Sequence, residues 1–222
     1  MNSHLFRKDI DFLRNHYSTL LQRYGDSPAG VQWSDRKTQE RRMEILAQIG
    51  SLSSAKVLDF GCGTGKLLSF LQKSIAFRGE YVGYDISDLM ISKAKDKFPR
   101  HRFECRDILA DGIPEFFDYI LISGVFNNLV DSNWELMTEL LKLLFPYTKV
   151  GLAFNALSTY VDYRDTSLFY VNPDKIFRFC KEILSPYVSL RHDYAIKPNM
   201  IPFEFTIYVF QTELEVRKNL EF

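Results

Sequence analysis

The stretch Val57-Leu58-Asp59-Phe60-Gly61-Cys62-Gly63-Thr64-Gly65 constrains this chain more than any other. A short apolar run closes on a carboxylate, three glycines follow at alternate positions, and a helix-like segment begins at Lys66. That order reads as strand, tight turn and helix start. Glycine serves where backbone must adopt unusual torsions or come very close to a ligand, and a helix N-terminus offers N–H groups without intrahelical partners. Two readings stand: a structural turn, or one wall of a nucleotide-type site. The dinucleotide fingerprint Gly-x-Gly-x-x-Gly does not fit, because Lys66 and Leu68 fill its last glycine position when it is counted from Gly61 or Gly63.

Downstream of this turn, apolar runs and helical periodicities alternate as in a parallel sheet with crossover helices. Strands are predicted at 56–60, 80–85, 101–106, 117–123 and 147–155, and helices at 65–76, 88–98 and 133–145. A last helix opens at Asn172-Pro173-Asp174, where Asn172 caps and Pro173 takes the first turn, and runs to Leu184. Segments 187–194 and 203–211 read as closing strands joined by a turn at 198–202. Ahead of the glycine turn, Phe6, Ile10, Leu13, Tyr17, Leu20, Leu21 and Tyr24 keep helical spacing over 5–24. A linker with Pro28, Gly30 and Trp33 leads to a second helix, capped by Ser34 or Asp35 and ending near Ile49.

The expected architecture is therefore α/β: a Rossmann-like, doubly wound, seven-stranded, mostly parallel sheet with a C-terminal antiparallel hairpin and N-terminal helices. Two regions are expected, a helical cap at 1–50 over the active site and a cofactor-binding domain at 51–222. With 28 basic and 28 acidic side chains among 222 residues, no overall field draws the chain to nucleic acid or an anionic membrane. His4, Arg7, Lys8 and Asp9 do not make a secretion signal, and no apolar run is long enough to span a bilayer. Cys62, Cys105 and Cys180 are odd in number and widely spaced, which suits reduced thiols in a cytoplasm and offers no metal-ligand pattern.

The second strand ends in Asp85, 20 positions after Gly65. In doubly wound sheets ligands sit beyond the carboxyl ends of strands, where an acid accepts ribose hydroxyls. The alternative role for Asp85 is capping the next helix, which Ser87 or Asp88 would serve equally well.

Asp-Phe-Gly-Cys-Gly-Thr-Gly, followed by Asp85, by Asp107 after the third strand and by Ser123-Gly124 after the fourth, resembles the class I S-adenosylmethionine-dependent methyltransferases. The resemblance covers about 56–155, and the late helix and hairpin extend it to about 211. It implies S-adenosylmethionine as cofactor, with Asp59, Gly61, Cys62, Gly63 and Gly65 against its methionine part, and Asp85 and Ile86 at the ribose. Asp107 would meet the adenine amino group, Ile108 would cover the ring, and Ser123, with the rest of 123–128, would face the reaction zone. Many adenine N-methyltransferases carry an Asn/Asp-Pro-Pro-aromatic sequence here, and Ser-Gly-Val-Phe-Asn-Asn departs from it, which argues against DNA bases or glutamine amides. The whole chain further resembles bacterial small-molecule methyltransferases, which implies an acceptor of natural-product or surface-saccharide type.

For that acceptor, the fourth-strand end offers Phe126 and Asn127. The long connection 155–170 offers Tyr160, Tyr163, Arg164 and Tyr170, suited to packing a substrate, shielding a sulfonium or pairing an acidic group, and equally suited to covering the sheet. His192 has the unperturbed pKa of a base and Asp193 is its neighbour, although strand alternation sends adjacent side chains to opposite faces. Tyr163 joins these two as a catalytic candidate, and His16 on the first helix is a further one. The readings left open are methyl transfer to a small molecule, to tRNA or protein, or cofactor binding by a non-catalytic partner subunit.

Overall fold

The computed structural model describes residues 5–27, 35–197 and 199–213. Helices α1 (Arg7–Tyr24) and α2 (Arg36–Ala47) come first. Strands and helices then alternate as β1 (Val57–Phe60), α3 (Lys66–Ser74), β2 (Tyr81–Asp85), α4 (Asp88–Lys97), β3 (Arg102–Cys105), the one-turn α5 (Ile108–Asp111), β4 (Phe117–Ile122), α6 (Asn133–Leu144) and β5 (Thr148–Ser158). The two-residue β6 (Tyr170–Val171), α7 (Pro173–Phe179), β7 (Tyr187–Arg191) and β8 (Glu204–Phe210) follow.

The sheet order is β3-β2-β1-β4-β5-β8-β7, with β6 beside the end of β5. Strands β1 to β5 pair in parallel, while β8 runs antiparallel to both β5 and β7. This is the expected doubly wound sheet with a closing hairpin, extended by β6 to eight strands. Val57 to Phe60 are buried throughout because helices cover both faces, which is why β1 reads as a continuous apolar run rather than an alternation. The chain leaves β1 toward β2 on one side and returns to β4 on the other, so a crevice forms beyond the carboxyl ends of β1 and β4.

Caps set the local boundaries. Asp35 accepts the Thr38 N–H at 2.9 Å, Ser87 accepts from Met90, and Asn172 accepts from Lys175 with Pro173 in the first turn. Ser34, the other cap considered for α2, and the linker residues Pro28, Gly30 and Trp33 lie outside the described residues, as does Pro198. Strand β5 runs three residues past its predicted end, because Leu157 and Ser158 gain β6 as a partner. Strand β7 stops at Arg191, so His192 to Tyr194 leave the sheet.

The N-terminal helices pack against opposite parts of the sheet. Phe6, Ile10 and Leu13 of α1 join the core of Ile108, Phe126 and Leu136, whereas Met43 and Leu46 of α2 join Leu67 and Leu71 on the other face. An ion pair ties α2 to the hairpin: Arg42 Nε lies 2.5 Å from Glu204 Oε2, with the side chains 6% and 1% exposed. Removing one member of a buried pair strands the other charge in a dry interior. Arg42→Met is expected to lower the unfolding free energy by about 3–5 kcal/mol in urea titrations, and the double change Arg42→Met with Glu204→Leu to recover most of that loss.

Candidate active site

The carboxyl ends of β1, β2 and β4 open into a cleft of about 1300 Å³, counting its mouth. It runs from the glycine turn past Asp85 to α5. Ile10, Leu13 and Tyr17 of α1 line it on one side, and Gln39 and Met43 of α2 on another.

The glycine turn is built for close approach. Gly61 and Gly65 have φ of +77° and +79°. A Cβ on Gly61 would lie 2.3 Å from Val125 Cγ2, and one on Gly65 would lie 2.9 Å from Phe98 Cε2. Four of the turn's donors are used within the fold rather than presented to a ligand. The N–H groups of Gly61 and Cys62 both reach the Tyr84 carbonyl, at 2.8 and 3.0 Å. Gly63 N–H donates to Asp85 Oδ2 at 2.9 Å, and Gly65 N–H to the Cys62 carbonyl at 2.9 Å. At these four positions the N–H groups make no anion cradle, and along the cleft Gly61 and Gly63 present backbone without a Cβ.

Carboxylates mark the length of the cleft. Asp59 is 2% exposed and accepts a hydrogen bond from the Tyr81 hydroxyl at 2.5 Å. Burial pushes its pKa up to about 7; the Tyr81 bond opposes the rise and the charge of Asp85 adds to it. Burial likewise raises Asp85, against the N–H groups of Ser87 and Gly63 that favour its ionised form. Each Asp85 oxygen accepts one of those N–H groups at 2.9 Å and keeps a lone pair, the acceptor pattern that a vicinal diol requires. Ser87 itself caps α4, so that capping role is filled without Asp85. Farther along, Asp107 caps α5 through the Leu109 N–H at 3.1 Å, between the apolar side chains of Ile86 and Ile108. A flat ring, a diol and a zwitterionic tail match this series of groups, with Asp59 and Lys66 at the tail end.

Helix α1 is fastened to the loops that carry these residues. Arg14 Nε donates to the Ile86 carbonyl at 3.0 Å, and the hydroxyls of Ser18 and Ser87 lie 2.9 Å apart. The buried Asp9 carboxylate accepts the N–H groups of Asp131 and Ser132 at 3.3 and 3.0 Å. Asn128 Nδ2 donates to the Tyr17 hydroxyl at 2.7 Å, and burial followed by the field of Asp85 pushes that phenol well above its ordinary pKa.

Of the predicted cofactor residues, Asp59, Gly61, Cys62, Gly63, Asp85, Ile86, Asp107, Ile108 and Ser123 all line this one cleft. Gly65 sits behind it as the N-cap of α3. Of the acceptor candidates only Phe126 lines it; Asn127 has a buried Oδ1 without a partner and backs the wall, its carbonyl accepting from Phe169 N–H. Tyr160, Arg164 and Tyr170 bond to Asp174, to the Thr159 carbonyl and to the Asp165 N–H, and Tyr163 is 80% exposed. His192 stands 3.1 Å from the Pro202 carbonyl between the rings of Tyr160 and Phe205, while Asp193 pairs with Arg191. None of these six lines the cleft, nor does His16, whose ring stacks on Phe12. Asn128, the last residue of the 123–128 stretch expected at the reaction zone, lines it too, as do Tyr17, Gln39 and Met43, which the sequence did not mark as site residues; Tyr17 was visible only as one member of the apolar stripe of α1.

The doubly wound sheet, with the glycine turn and Asp85 at one cleft, fits the class I S-adenosylmethionine-dependent methyltransferases, and the comparisons agree. Residues 57–147 match the family described as a methyltransferase domain. A putative methyltransferase of Mycobacterium tuberculosis is 35% identical over 158 residues, spanning 68% of this chain and 90% of that protein, and the chain belongs to this methyltransferase family. A demethylmenaquinone methyltransferase of Lactiplantibacillus plantarum is 33% identical over 112 residues, 47% of each chain. The fold matches magnesium protoporphyrin IX methyltransferase of Synechocystis with bound S-adenosylmethionine at a TM-score of 0.66, over 92% of this chain and 97% of that one, at 14% identity. S-adenosylmethionine is the methyl donor of this enzyme.

The state of Asp59 gives a pH test. Its folded pKa of about 7 lies above that of the unfolded chain, so the folded protein holds the extra proton, and this contribution to stability is lost as pH rises from about 4 through 7. Asp59→Asn keeps an acceptor for Tyr81 and cannot ionise. Its stability relative to wild type is expected to climb by up to roughly 4 kcal/mol between pH 4 and 7, then level off, in denaturation series at fixed salt.

Proposed function

We propose that this enzyme transfers the methyl group to an O or N atom of a small molecule, of natural-product or surface-saccharide type. The observation that carries this reading is the fastening of α1 to the strand-end loops, which walls one side of the cleft with Ile10, Leu13 and Tyr17. A basic strip for tRNA would be built from Lys93, Lys95, Lys97, Arg100 and Arg102, and two of these are engaged by acids, Lys97 by Asp26 and Arg102 by Glu104 and Glu115. A relative named for demethylmenaquinone supports a small acceptor.

In this reading residues 1–50 form the cap of a methyltransferase domain at 51–222. Asp85 accepts the ribose hydroxyls, Asp107 the adenine amino group, and Ile86 and Ile108 cover the ring. Gly61 to Gly65, with Asp59, Cys62 and Ser123 nearby, take the methionine part. When bound, S-adenosylmethionine supplies a sulfonium methyl group open to in-line displacement, leaving S-adenosylhomocysteine. The chain holds the acceptor beside Phe126, with Tyr17, Gln39, Met43 and Asn128 around it, and excludes water. Positioning of that kind supplies much of the acceleration in such displacements.

Calorimetry with S-adenosylhomocysteine tests the cofactor assignment: Asp85→Ala is expected to lose about 1.5–3 kcal/mol of binding free energy, and unchanged affinity would remove Asp85 from the ribose. For the acceptor, S-adenosylhomocysteine release is to be measured with pooled small molecules, bulk tRNA and protein extract. Turnover with the small-molecule pool is the expected result; turnover confined to tRNA or protein would defeat the proposal.

A further inference from the structure

Two cationic side chains line the cleft among the described residues, Arg106 and Lys66. Arg106 stands at the α5 end and is held within the fold by four hydrogen bonds. Its guanidinium bonds the Glu104 carboxylate at 3.0 and 3.2 Å and the carbonyls of Asp111 and Gly112 at 3.4 and 3.2 Å, and lies 5.2 Å from the centre of the Tyr84 ring. Lys66 stands at the opposite end, directly after the glycine turn. Among the described residues its ammonium group bonds only Asp26: the carboxylate oxygen Oδ1 at 3.1 Å and the backbone carbonyl at 3.4 Å.

Asp26 has other partners. Lys97 Nζ lies 2.8 Å from its second oxygen, and the Thr64 hydroxyl donates to the first at 2.5 Å. Lys97 also holds the Thr64 carbonyl at 3.0 Å. Burial pushes the Asp26 pKa upward, but the bonds from Lys97, Thr64 and Lys66 hold it at about 2, so the group is ionised at any working pH. It follows α1 by two residues and joins the α1–α2 connection to the glycine turn.

The methyl donor ends in an amino acid whose carboxylate needs a positive partner. The turn's N–H groups at Gly61, Cys62, Gly63 and Gly65 are already committed to Tyr84, Asp85 and Cys62. The remaining cation at this end of the cleft is Lys66. We propose that Lys66 is the counter-ion of the cofactor's α-carboxylate and that Asp26 is its internal competitor, so that cofactor binding and the tethering of the α1–α2 connection share one ammonium group. The proposal rests on the reading of the cleft as the cofactor site. An ammonium carries three donors and Asp26 takes two directions, so the cofactor tail must share Lys66 or displace one bond, with Lys97 and Thr64 retaining Asp26. Two carboxylates around one cation repel, and Asp26 therefore weakens cofactor affinity.

Calorimetric titrations with S-adenosylhomocysteine and with 5′-methylthioadenosine separate the parts, because the second ligand keeps the adenosine and thioether and lacks the amino-acid tail. Lys66→Met is expected to weaken S-adenosylhomocysteine by about tenfold or more while methylthioadenosine changes by less than about twofold. Asp26→Asn is expected to move the ratio of the two affinities the other way, by about threefold in favour of S-adenosylhomocysteine. The ratio cancels any general loosening of α1, and retained methylthioadenosine binding shows that each variant is folded. An unchanged ratio in Lys66→Met overturns the counter-ion; an unchanged or reversed ratio in Asp26→Asn overturns the competitor. If wild type binds neither ligand, the cofactor reading itself fails, an outcome distinct from both.

Discussion

The backbone carbonyl of Tyr84 holds the site in register. It accepts N–H groups from both Gly61 and Cys62, and the next residue, Asp85, accepts the N–H of Gly63. Three successive donors of the β1–α3 turn thus end on two successive residues at the tip of β2. The Tyr84 ring is fully buried in the core that also holds Phe117 and Ile120, so the position of the turn is fixed by core packing. Positive φ at Gly61 follows from this stitching, and so does the close approach to Val125 from the β4 loop. Three strand ends are drawn together by contacts that involve no ligand.

The same closeness concentrates negative charge. Asp59 and Asp85 stand near enough that each disfavours ionisation in its neighbourhood, and Asp59 has a phenol where a cation would relieve it. Buried carboxylates without a cationic partner cost stability. A fold that keeps two of them at the end of its central strands has placed a demand for positive charge where the cleft is deepest. The hairpin side handles the same cost differently, by giving Glu204 its own arginine.

Much of the cleft was legible in the sequence because its parts are encoded locally. Gly61, Asp85, Asp107 and Ser123 each end a strand, and the strand ends of a parallel sheet meet at one edge once the strand order is known. The walls that were not legible come from tertiary docking. Tyr17, Gln39 and Met43 belong to helical stripes that look alike whether they face a core or a cavity, and only the bonds of Asp9, Arg14 and Ser18 decide where α1 lies. For the tyrosine-rich connection the sequence left two roles open, acceptor contact and cover. Its tyrosines bond close by, Tyr170 with Asp165 and Tyr160 with Asp174, while Leu168 and Phe169 run alongside Asn127 and Asn128 and brace the β4 loop from behind. Strand β7 ended early where Asp193 turned back to pair with Arg191.

The position of β8 has a consequence for synthesis. It is the last of the described strands and lies between β5 and β7, and among the described residues it alone joins β7 to the sheet. Until β8 has been made and docks, β5 exposes a long, apolar, unpaired edge, and β7 has no neighbouring strand. Such edges template pairing with other chains. Every strand end that forms the cofactor cleft is therefore made before the strand that covers this edge, and until β8 pairs the edge is where misassembly would begin.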